Sequence, residues 1–154
     1  DTRDHRQLQA TLRYLGERVG AELRQQDKQA RCITLKLRYA DFTTTTRQQT
    51  LYKPDDTDQA IFATGLKLLK IELPREKQAV RLIGIGVSNM AETGRQPDML
   101  DSRGQRLEQL NAAIDRIRKK YGFTAIQTGR TLRLRDIFPE SDDGYRLHTS
   151  SLSR

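Results

Sequence analysis

The sequence predicts an α+β fold in which a small antiparallel or mixed sheet carries two helices on one face. Apolar residues recur every three or four positions in segments that begin near residues 8, 54 and 106, as in amphipathic helices. They alternate with polar residues around positions 33–39, which is typical of a half-buried strand. The order helix, strand, strand, helix, strand places the helices together on one side of the sheet, and a further helix and a tail follow.

The composition favours one domain with a polar extension. The chain has 154 residues, of which 35% are hydrophobic, and its 28 Lys and Arg against 20 Asp and Glu give a net charge of +8. The single cysteine excludes a disulfide framework, and no apolar run approaches the ~18–20 residues that span a bilayer. No signal peptide opens the chain, so we expect a cytoplasmic protein with no membrane partner. The positive charge favours a polyanionic partner, although solubility alone also explains it.

The first element is a helix from Leu8 to about Gln26, whose apolar side chains form one stripe. Asp4 stands in the position of an N-cap. Gly16 and Gly20 weaken such a helix by up to ~1 kcal/mol each, so tertiary packing must hold it. Their spacing of four also suggests a close approach to a neighbouring element.

A hairpin of two strands comes next. In the first strand, residues 32–39, the apolar positions 33, 35 and 37 face the core, and the opposite, outer face carries Thr34, Lys36 and Arg38. Residues 40–42 form the turn, and residues 43–52 form the second strand because their threonines have high β propensity. The register stays open, since four consecutive threonines give no contrast between the two faces.

A second helix is predicted to begin at residues 54–58, where three acids suit the positive end of the helix dipole, and to end at Pro74. Its inward-facing residues are Ile61, Ala63, Leu66 and Leu69. The third strand, residues 79–87, is apolar at positions 83, 85 and 87 and has Gly84 and Gly86 on its other face. Glycine inside a strand often marks the close approach of a ligand or another backbone.

The remainder is predicted to be a loop at 89–104, a helix at 106–121 that stops at Gly122, and a polar tail at 139–154. The apolar face of that helix carries Leu107, Leu110, Ile114 and Ile117. Residues 124–134 have weak strand character, and Tyr145 and Leu147 are the side chains that could anchor the tail.

No credible catalytic or metal site emerges from the sequence. Cys32 has no adjacent base and reads as a small buried residue, while His5 and His148 lie near opposite ends of the chain. The acids at positions 55, 56 and 58 are explained by helix capping rather than by a carboxylate cluster. The glycines at 84 and 86 do not make a dinucleotide fingerprint, because Asn89 stands where the third glycine belongs.

The outer face of the sheet is the better candidate for function. It carries Lys36 and Arg38, and we expect Arg47 and Arg81 beside them, where they can neutralise phosphates. With only 6% aromatic residues there is no stacking platform for single strands, so the face suits a duplex backbone. The alternative is a solvated face whose cations only prevent aggregation at the sheet edge.

A second candidate is the string from Gln96 to Leu100, which ends in Met99-Leu100. A glutamine followed by an apolar pair can dock in a hydrophobic pocket of a partner protein. On the pattern alone, Met99 and Leu100 equally suit packing under the following helix.

Two blocks of sequence resemble a known family. The run Thr34-Leu35-Lys36-Leu37-Arg38-Tyr39-Ala40-Asp41-Phe42-Thr43-Thr44-Thr45-Thr46-Arg47, with Val80-Arg81-Leu82-Ile83-Gly84-Ile85-Gly86-Val87-Ser88-Asn89 downstream, resembles the little finger of bacterial Y-family (translesion) DNA polymerases. The likeness covers about residues 4–90, and the helix between the blocks fits the same pattern. The resemblance implies a small α+β domain whose sheet lies along the primer–template duplex and holds it by the phosphates without reading sequence.

The resemblance also implies particular site residues. The positions that it assigns to DNA contact are Lys36, Arg38, Thr46, Arg47, Arg81, Gly84, Gly86 and Ser88. It assigns sliding-clamp binding to Gln96, Met99 and Leu100. We therefore divide the chain into a DNA-binding domain (1–90), a loop with the clamp-binding-like peptide (91–104), a C-terminal helix with a short extended segment (105–138) and a polar tail (139–154). A protein-interaction module acting through the peptide, and an RNA-binding domain, remain alternatives.

Two departures from the family pattern carry expectations of their own. The catalytic palm with its metal-binding carboxylates is absent, so we expect no polymerase activity and no cofactor in this chain, whereas the parent enzyme would use magnesium. The strand that opens the family's domain before the first helix is missing as well. Residues 124–134, or a second molecule in a strand-exchanged homodimer, would have to fill that edge of the sheet.

Overall fold

The computed structural model describes residues 1–73, 78–92, 102–141 and 143–147, and the predicted α+β class is confirmed there. In chain order the main elements are α1 (His5–Gln25), β1 (Lys28–Tyr39), β2 (Thr44–Asp55), α2 (Asp58–Glu72), β3 (Val80–Glu92) and α3 (Ser102–Tyr121). Two short 3-10 turns, Phe123–Ala125 and Thr131–Asp136, and a two-residue pairing of β4 (Glu140–Ser141) with β5 (Gly144–Tyr145) complete the described chain.

β1 is the central strand of an antiparallel sheet with the order β2-β1-β3. The predicted core positions Ile33, Leu35 and Leu37 are at most 1% exposed, and α1 and α2 cover that face of the sheet. This arrangement confirms the alternation read from the sequence, because one face of β1 is buried under the helices and the other is left open.

The two glycines of α1 mark the contact with α2. A Cβ added at Gly16 would stand 3.6 Å from Ile61 Cγ2, an ordinary contact, whereas one added at Gly20 would stand 2.2 Å from Asp58 Oδ1. The expected close approach is therefore confirmed, and it is tightest at Gly20. Asp4 caps α1 as predicted, since its carboxylate accepts a hydrogen bond from the backbone N–H of Arg6 at 2.9 Å.

The segment 54–58, predicted to begin α2, contains the observed start, but only its last two residues belong to the helix and its cap. Pro54 and Asp55 still belong to β2, and the N-cap is Thr57, whose hydroxyl accepts from the N–H of Ala60 at 3.3 Å. Asp55 holds Thr57 in place by accepting its N–H and its hydroxyl, each at 2.8 Å. Ala63 was also wrongly placed inward, because it is exposed in the structure.

α3 lies against α1 and the start of α2 mainly through polar groups. Arg24 of α1 donates to both carboxylate oxygens of Asp115, at 2.6 and 2.9 Å, and also to Asp58 Oδ1 at 2.9 Å. Arg118 donates to the buried Glu17 at 3.2 Å. The predicted apolar face of α3 is consequently only partly buried, because the helix turns its polar side to the body of the protein.

The prediction of a strand at residues 124–134 is wrong. This stretch contains two 3-10 turns, of which the second packs on α1, and it contributes no strand to the sheet β2-β1-β3. Leu134 is completely buried beside Tyr14 and Tyr145, whereas Leu132 is 49% exposed. A strand would place Leu132 and Leu134 on the same face, so their opposite burial excludes it.

Thr2 lies along the outer edge of β3, on the side away from β1. Thr2 exchanges two backbone hydrogen bonds with Val80, at 2.9 and 2.8 Å, and is the one described residue that pairs along that outer edge. The tail, by contrast, is anchored as predicted through residue 145. Tyr145 is 7% exposed, and its N–H donates to the Tyr14 hydroxyl at 2.9 Å.

Candidate nucleic-acid interface

The side of the sheet opposite the helices forms one continuous polar surface. We call it the open face, and it consists of Thr34, Lys36 and Arg38 of β1, Thr44, Thr46, Gln48 and Thr50 of β2, and Leu82, Gly84, Gly86 and Ser88 of β3. The register places Lys36 between Thr46 and Gly84, and Arg38 between Thr44 and Leu82. None of these positions is acidic, so the only charges on the open face are positive, and most of its other side chains are hydroxyls.

Lys36 and Arg38 of β1 stand side by side in the middle of the open face. Lys36 is exposed and extends toward solvent. Arg38 is half-buried, and its Nε donates to the Thr44 hydroxyl at 3.1 Å, which orients the guanidinium along the face. Alternation along one strand brings Lys36 and Arg38 to the same side, where both can meet phosphates of one backbone.

The glycines of β3 leave the adjacent surface bare. An added Cβ at Gly84 or at Gly86 would meet nothing within 4 Å. Neither position therefore needs glycine for packing, and the space above both is free for another molecule. The structure therefore leaves room for the close approach that these two glycines predicted.

Arg81 lies at the margin of the open face. The register between β1 and β3 is irregular at this point, because Arg38 pairs with Leu82 and Tyr39 with Val80, which leaves Arg81 opposite no residue. Its guanidinium stacks on the ring of Phe42 with 4.5 Å to the centroid. Phe42 is itself 56% exposed, so the pair forms a cationic corner beside the hairpin turn.

Arg47 is not on the open face, which corrects the predicted set. It pairs with Leu35 in the register and therefore shares the helix-facing side of the sheet. There its Nε donates to the carboxylate of Glu72, which also accepts from the Tyr39 hydroxyl at 3.3 Å. Burial of Glu72 works to raise its pKa, but the hydrogen bond and charge of Arg47 prevail and hold that pKa below its usual value. The sequence did not show on which face of β2 Arg47 lies, because the four preceding threonines give no contrast between the two faces.

The structure adds residues to the open face that the sequence reading missed. Gln48 and Thr50 alternate with the half-buried positions of β2 and, together with Thr44, which the sequence had already suggested as a hydroxyl donor, complete the face. Beyond them, Tyr52 of β2 is fully exposed and Met90 of β3 is 50% exposed. Alternation from Thr46 would have found Gln48 and Thr50 once the register was known. The predicted clamp-binding residues Gln96, Met99 and Leu100 lie outside the described residues.

The structure also shows where the residues considered for a catalytic or metal site lie. Cys32 is buried, 8% exposed, as expected for a structural thiol. Within the described ranges no group of three or more His, Cys, Asp or Glu could hold a metal ion. Of the acids near the start of α2, Asp58 is buried in its ion pair with Arg24. Burial raises the pKa of Asp58 to about 6, against the opposing effect of the arginine.

No helix in the described part of the chain is long and apolar enough to cross a membrane.

The fold and the open face together define the class: a small α+β domain with two helices behind a sheet whose front surface is basic and free of acids.

Comparison with known proteins narrows this class to a family. The sequence profile of the impB/mucB/samB family C-terminal domain matches residues 1–99, and the chain belongs to this family. The DNA polymerase IV of a Dehalococcoides mccartyi strain is 47% identical over 138 residues, which covers 90% of this chain and 35% of that protein. The resemblance to the C-terminal region of bacterial Y-family polymerases is thereby confirmed.

Relatives from other bacteria match in the same way. DNA polymerase IV of Brucella melitensis is 38% identical over 126 residues, covering 80% of this chain and 28% of that protein. DNA polymerase IV of Caulobacter vibrioides is 36% identical over 134 residues, covering 86% of this chain and 33% of that protein. The chain spans about a third of the length of these curated relatives.

Proposed function

We propose that the open face binds duplex DNA by its phosphate backbone, without reading sequence, as the little finger of a translesion DNA polymerase. The observation that carries this proposal is the absence of any acid among the open-face residues while Lys36 and Arg38 stand at their centre. Threonine and serine hydroxyls around the cations can donate to phosphate oxygens. The bare surface at Gly84 and Gly86 lets a backbone come close.

The proposed DNA-contacting residues follow from this geometry. They are Lys36, Arg38, Thr46, Gly84, Gly86 and Ser88, with Arg81 at the margin. Arg47 is left out because its charge is neutralised by Glu72 on the other side of the sheet. Three cations that each neutralise one phosphate would give a log–log salt dependence of binding with a slope of about −3.

The test is fluorescence anisotropy of the full chain with two duplexes of equal length and unrelated sequence, over a salt series. We expect Lys36→Glu to weaken both duplexes equally and to lower the salt slope by about one. Gly84→Asp should weaken binding as well, because it places a negative charge in the open space. Lys67→Glu is the matched control, since Lys67 is exposed on α2 behind the sheet.

Equal losses for Lys36→Glu and Lys67→Glu would mean that only the net charge matters, and the open face would then not be the interface. A structured RNA that outcompetes the duplex would favour the RNA-binding alternative. For the whole protein, we propose magnesium-dependent DNA synthesis on damaged templates, carried by the part of such a polymerase that this chain does not contain.

We also propose that Gln96, Met99 and Leu100 bind the DNA sliding clamp. The support is the resemblance of this peptide to the clamp-binding string of bacterial members and its position between β3 and α3 in the sequence. Replacement of Gln96 and Met99 by Ala should abolish capture by the purified clamp and leave duplex binding unchanged. Thr93→Ala is the control within the same segment. Retained clamp capture in the double variant would contradict this proposal without touching the open face.

A further inference from the structure

Within the ranges that the structure describes, α3 has an apolar stripe that no other element covers. Leu110, Ile117 and Tyr121 are 48%, 38% and 68% exposed, and Ile114 between them is only partly buried. Their spacings of four, three and four residues place all four side chains within one narrow sector of the helix. We call these four residues the α3 stripe. It runs along about three helical turns, or roughly 16 Å at 1.5 Å per residue.

The stripe is not what holds α3 to the protein. The docked side of the helix is polar: Asn111 is completely buried, and its amide donates to Gln59 Oε1 at 2.8 Å. Asp115 and Arg118 pair with Arg24 and Glu17 of α1. Amphipathic helices ordinarily turn their apolar stripe inward and their charges outward. α3 reverses this pattern, and an apolar stripe exposed in this way is typical of an interaction surface.

The charges of α3 are sorted between its two sides. Its two acids, Glu108 and Asp115, share the docked side with Asn111 at about 100° per residue. Of its basic residues only Arg118 is buried, and the exposed ones are Arg103, Arg106, Arg116, Lys119 and Lys120. By the same helical spacing, Arg103 and Arg106 lie along the α3 stripe, and Lys120 flanks it. The uncovered surface is therefore apolar with a purely positive border.

From this sorting we infer that the α3 stripe docks an acidic amphipathic helix of a partner protein. The apolar residues of such a helix would pack on Leu110 and Ile117, and its carboxylates would pair with Arg106 and Lys120. A second copy of this chain fits poorly, because a twofold contact would bring like charges together. DNA fits poorly as well, because exposed leucine and isoleucine give no contact to phosphate.

The region that contains α3 is shared with relatives. The alignment with the Dehalococcoides mccartyi DNA polymerase IV covers 138 residues of this chain, more than the 99 that the family profile matches, and so includes all of α3. The α3 stripe belongs to the helix after β3, whereas the open face belongs to the three strands, so the two surfaces share no residue. Failure of this inference would leave the DNA-binding proposal untouched.

The experiment uses two synthetic helical peptides with identical leucine positions in an a/d pattern. One carries glutamate and the other lysine at the flanking positions. Fluorescently labelled peptide is titrated with the full chain and binding is followed by anisotropy. We expect the acidic peptide to bind with micromolar affinity and the basic peptide to show no binding, because the border of the α3 stripe is positive.

Variants then locate the surface. Leu110→Ser with Ile117→Ser should weaken the acidic peptide about tenfold or more, since apolar anchors carry most of such binding. Arg106→Glu with Lys120→Glu should weaken the acidic peptide and allow the basic one to bind. Lys119→Glu, an equal change of charge on the far side of α3, should alter affinity by less than about twofold. Circular dichroism confirms that each variant stays folded.

Three outcomes would overturn the inference. Equal binding of both peptides would show that the border has no selectivity. Absence of binding at millimolar peptide would show that the α3 stripe does not take an acidic helix, whether or not another segment of the chain covers it. Unchanged affinity in the Leu110→Ser, Ile117→Ser variant, with a folded protein, would place the peptide elsewhere.

Discussion

At the scale of single residues, the face on which a side chain lies decides what it does. Arg38 and Arg47 are both arginines of the same hairpin, yet one extends over the open face and the other reaches back to Glu72. Charge and proximity in the sequence do not separate them. Only the register between β1 and β2 does, because each step along a strand reverses the direction of the side chain.

This difference predicts opposite phenotypes for one substitution. Arg47→Met should lower the free energy of unfolding by about 1–3 kcal/mol, because it leaves the buried Glu72 carboxylate without its counter-charge. Duplex affinity per folded molecule should stay the same. Arg38→Met should do the reverse, with stability within about 0.5 kcal/mol and weaker DNA binding. Urea unfolding and anisotropy measure the two effects, and a loss of DNA affinity in Arg47→Met would return Arg47 to the interface.

The buried Asp58 predicts a pH dependence of stability. Burial raises its pKa to about 6 in the folded protein, above about 3.9 in an unfolded chain, so the folded state binds this proton more tightly. The contribution of Asp58 to stability is therefore fully present below about pH 4 and is lost as the pH rises through about 6. Asp58→Asn removes the titration. The difference in unfolding free energy between wild type and Asp58→Asn should change across this window, and a constant difference would contradict the raised pKa.

At the scale of elements, sequence periodicity predicted the helices and strands, and their contacts decided the boundaries. α1 begins three residues before its apolar stripe, because Asp4 caps it there. α2 begins later than its acids suggested, since Thr57 rather than an aspartate is the N-cap. Residues 124–134 form 3-10 turns, because Leu134 packs under Tyr14 while Leu132 stays in solvent. Periodicity over so short a stretch does not distinguish these states.

The two glycines of α1 predict a matched pair of substitutions. Gly16→Ala should stabilise the protein by about 0.5–1 kcal/mol, because alanine favours the helix and its Cβ makes only ordinary contacts with Ile61. Gly20→Ala should destabilise it by about 1–3 kcal/mol, because the new Cβ would displace Asp58 and Arg24. Thermal unfolding of both variants is the measurement. A higher melting temperature for Gly20→Ala would mean that the Arg24–Asp58 pair moves aside without loss.

At the scale of the whole molecule, α3 is joined to the sheet and its helices by buried ion pairs rather than by an apolar core. Arg24 bridges α1 to Asp58 of α2 and to Asp115 of α3. Glu17 is 2% exposed and pairs with both Arg13 and Arg118. Arg118 also lies over the ring of Phe123 at 4.1 Å. Such contacts are directional, so they fix the orientation of α3 and leave its apolar side outside.

This docking predicts a strong asymmetry between single and double substitutions. Arg118→Ala should destabilise the protein by about 1–3 kcal/mol, because the buried Glu17 carboxylate loses one of its two arginine partners and keeps only Arg13. Combining Glu17→Gln with Arg118→Met should cost less than Arg118→Ala alone, since the double variant removes the buried carboxylate together with its buried partner and leaves only the half-buried Arg13 unpaired. Arg116→Ala, at an exposed position of the same helix, is the control. A double variant as unstable as the sum of its single changes would show that the pair is not coupled.

Four features could be predicted from the amino-acid sequence: the fold class, the order of helices and strands, the buried positions of β1, and the family through two motif blocks. These features follow from local periodicity and from residue types, which a single chain displays directly. Four others became visible only in the folded protein: Arg47 faces Glu72, Gly20 lies against Asp58, Thr2 pairs beside β3, and α3 exposes its apolar stripe. Each of these depends on register or on contacts between residues far apart in the chain. Neither register nor long-range pairing is encoded in local periodicity.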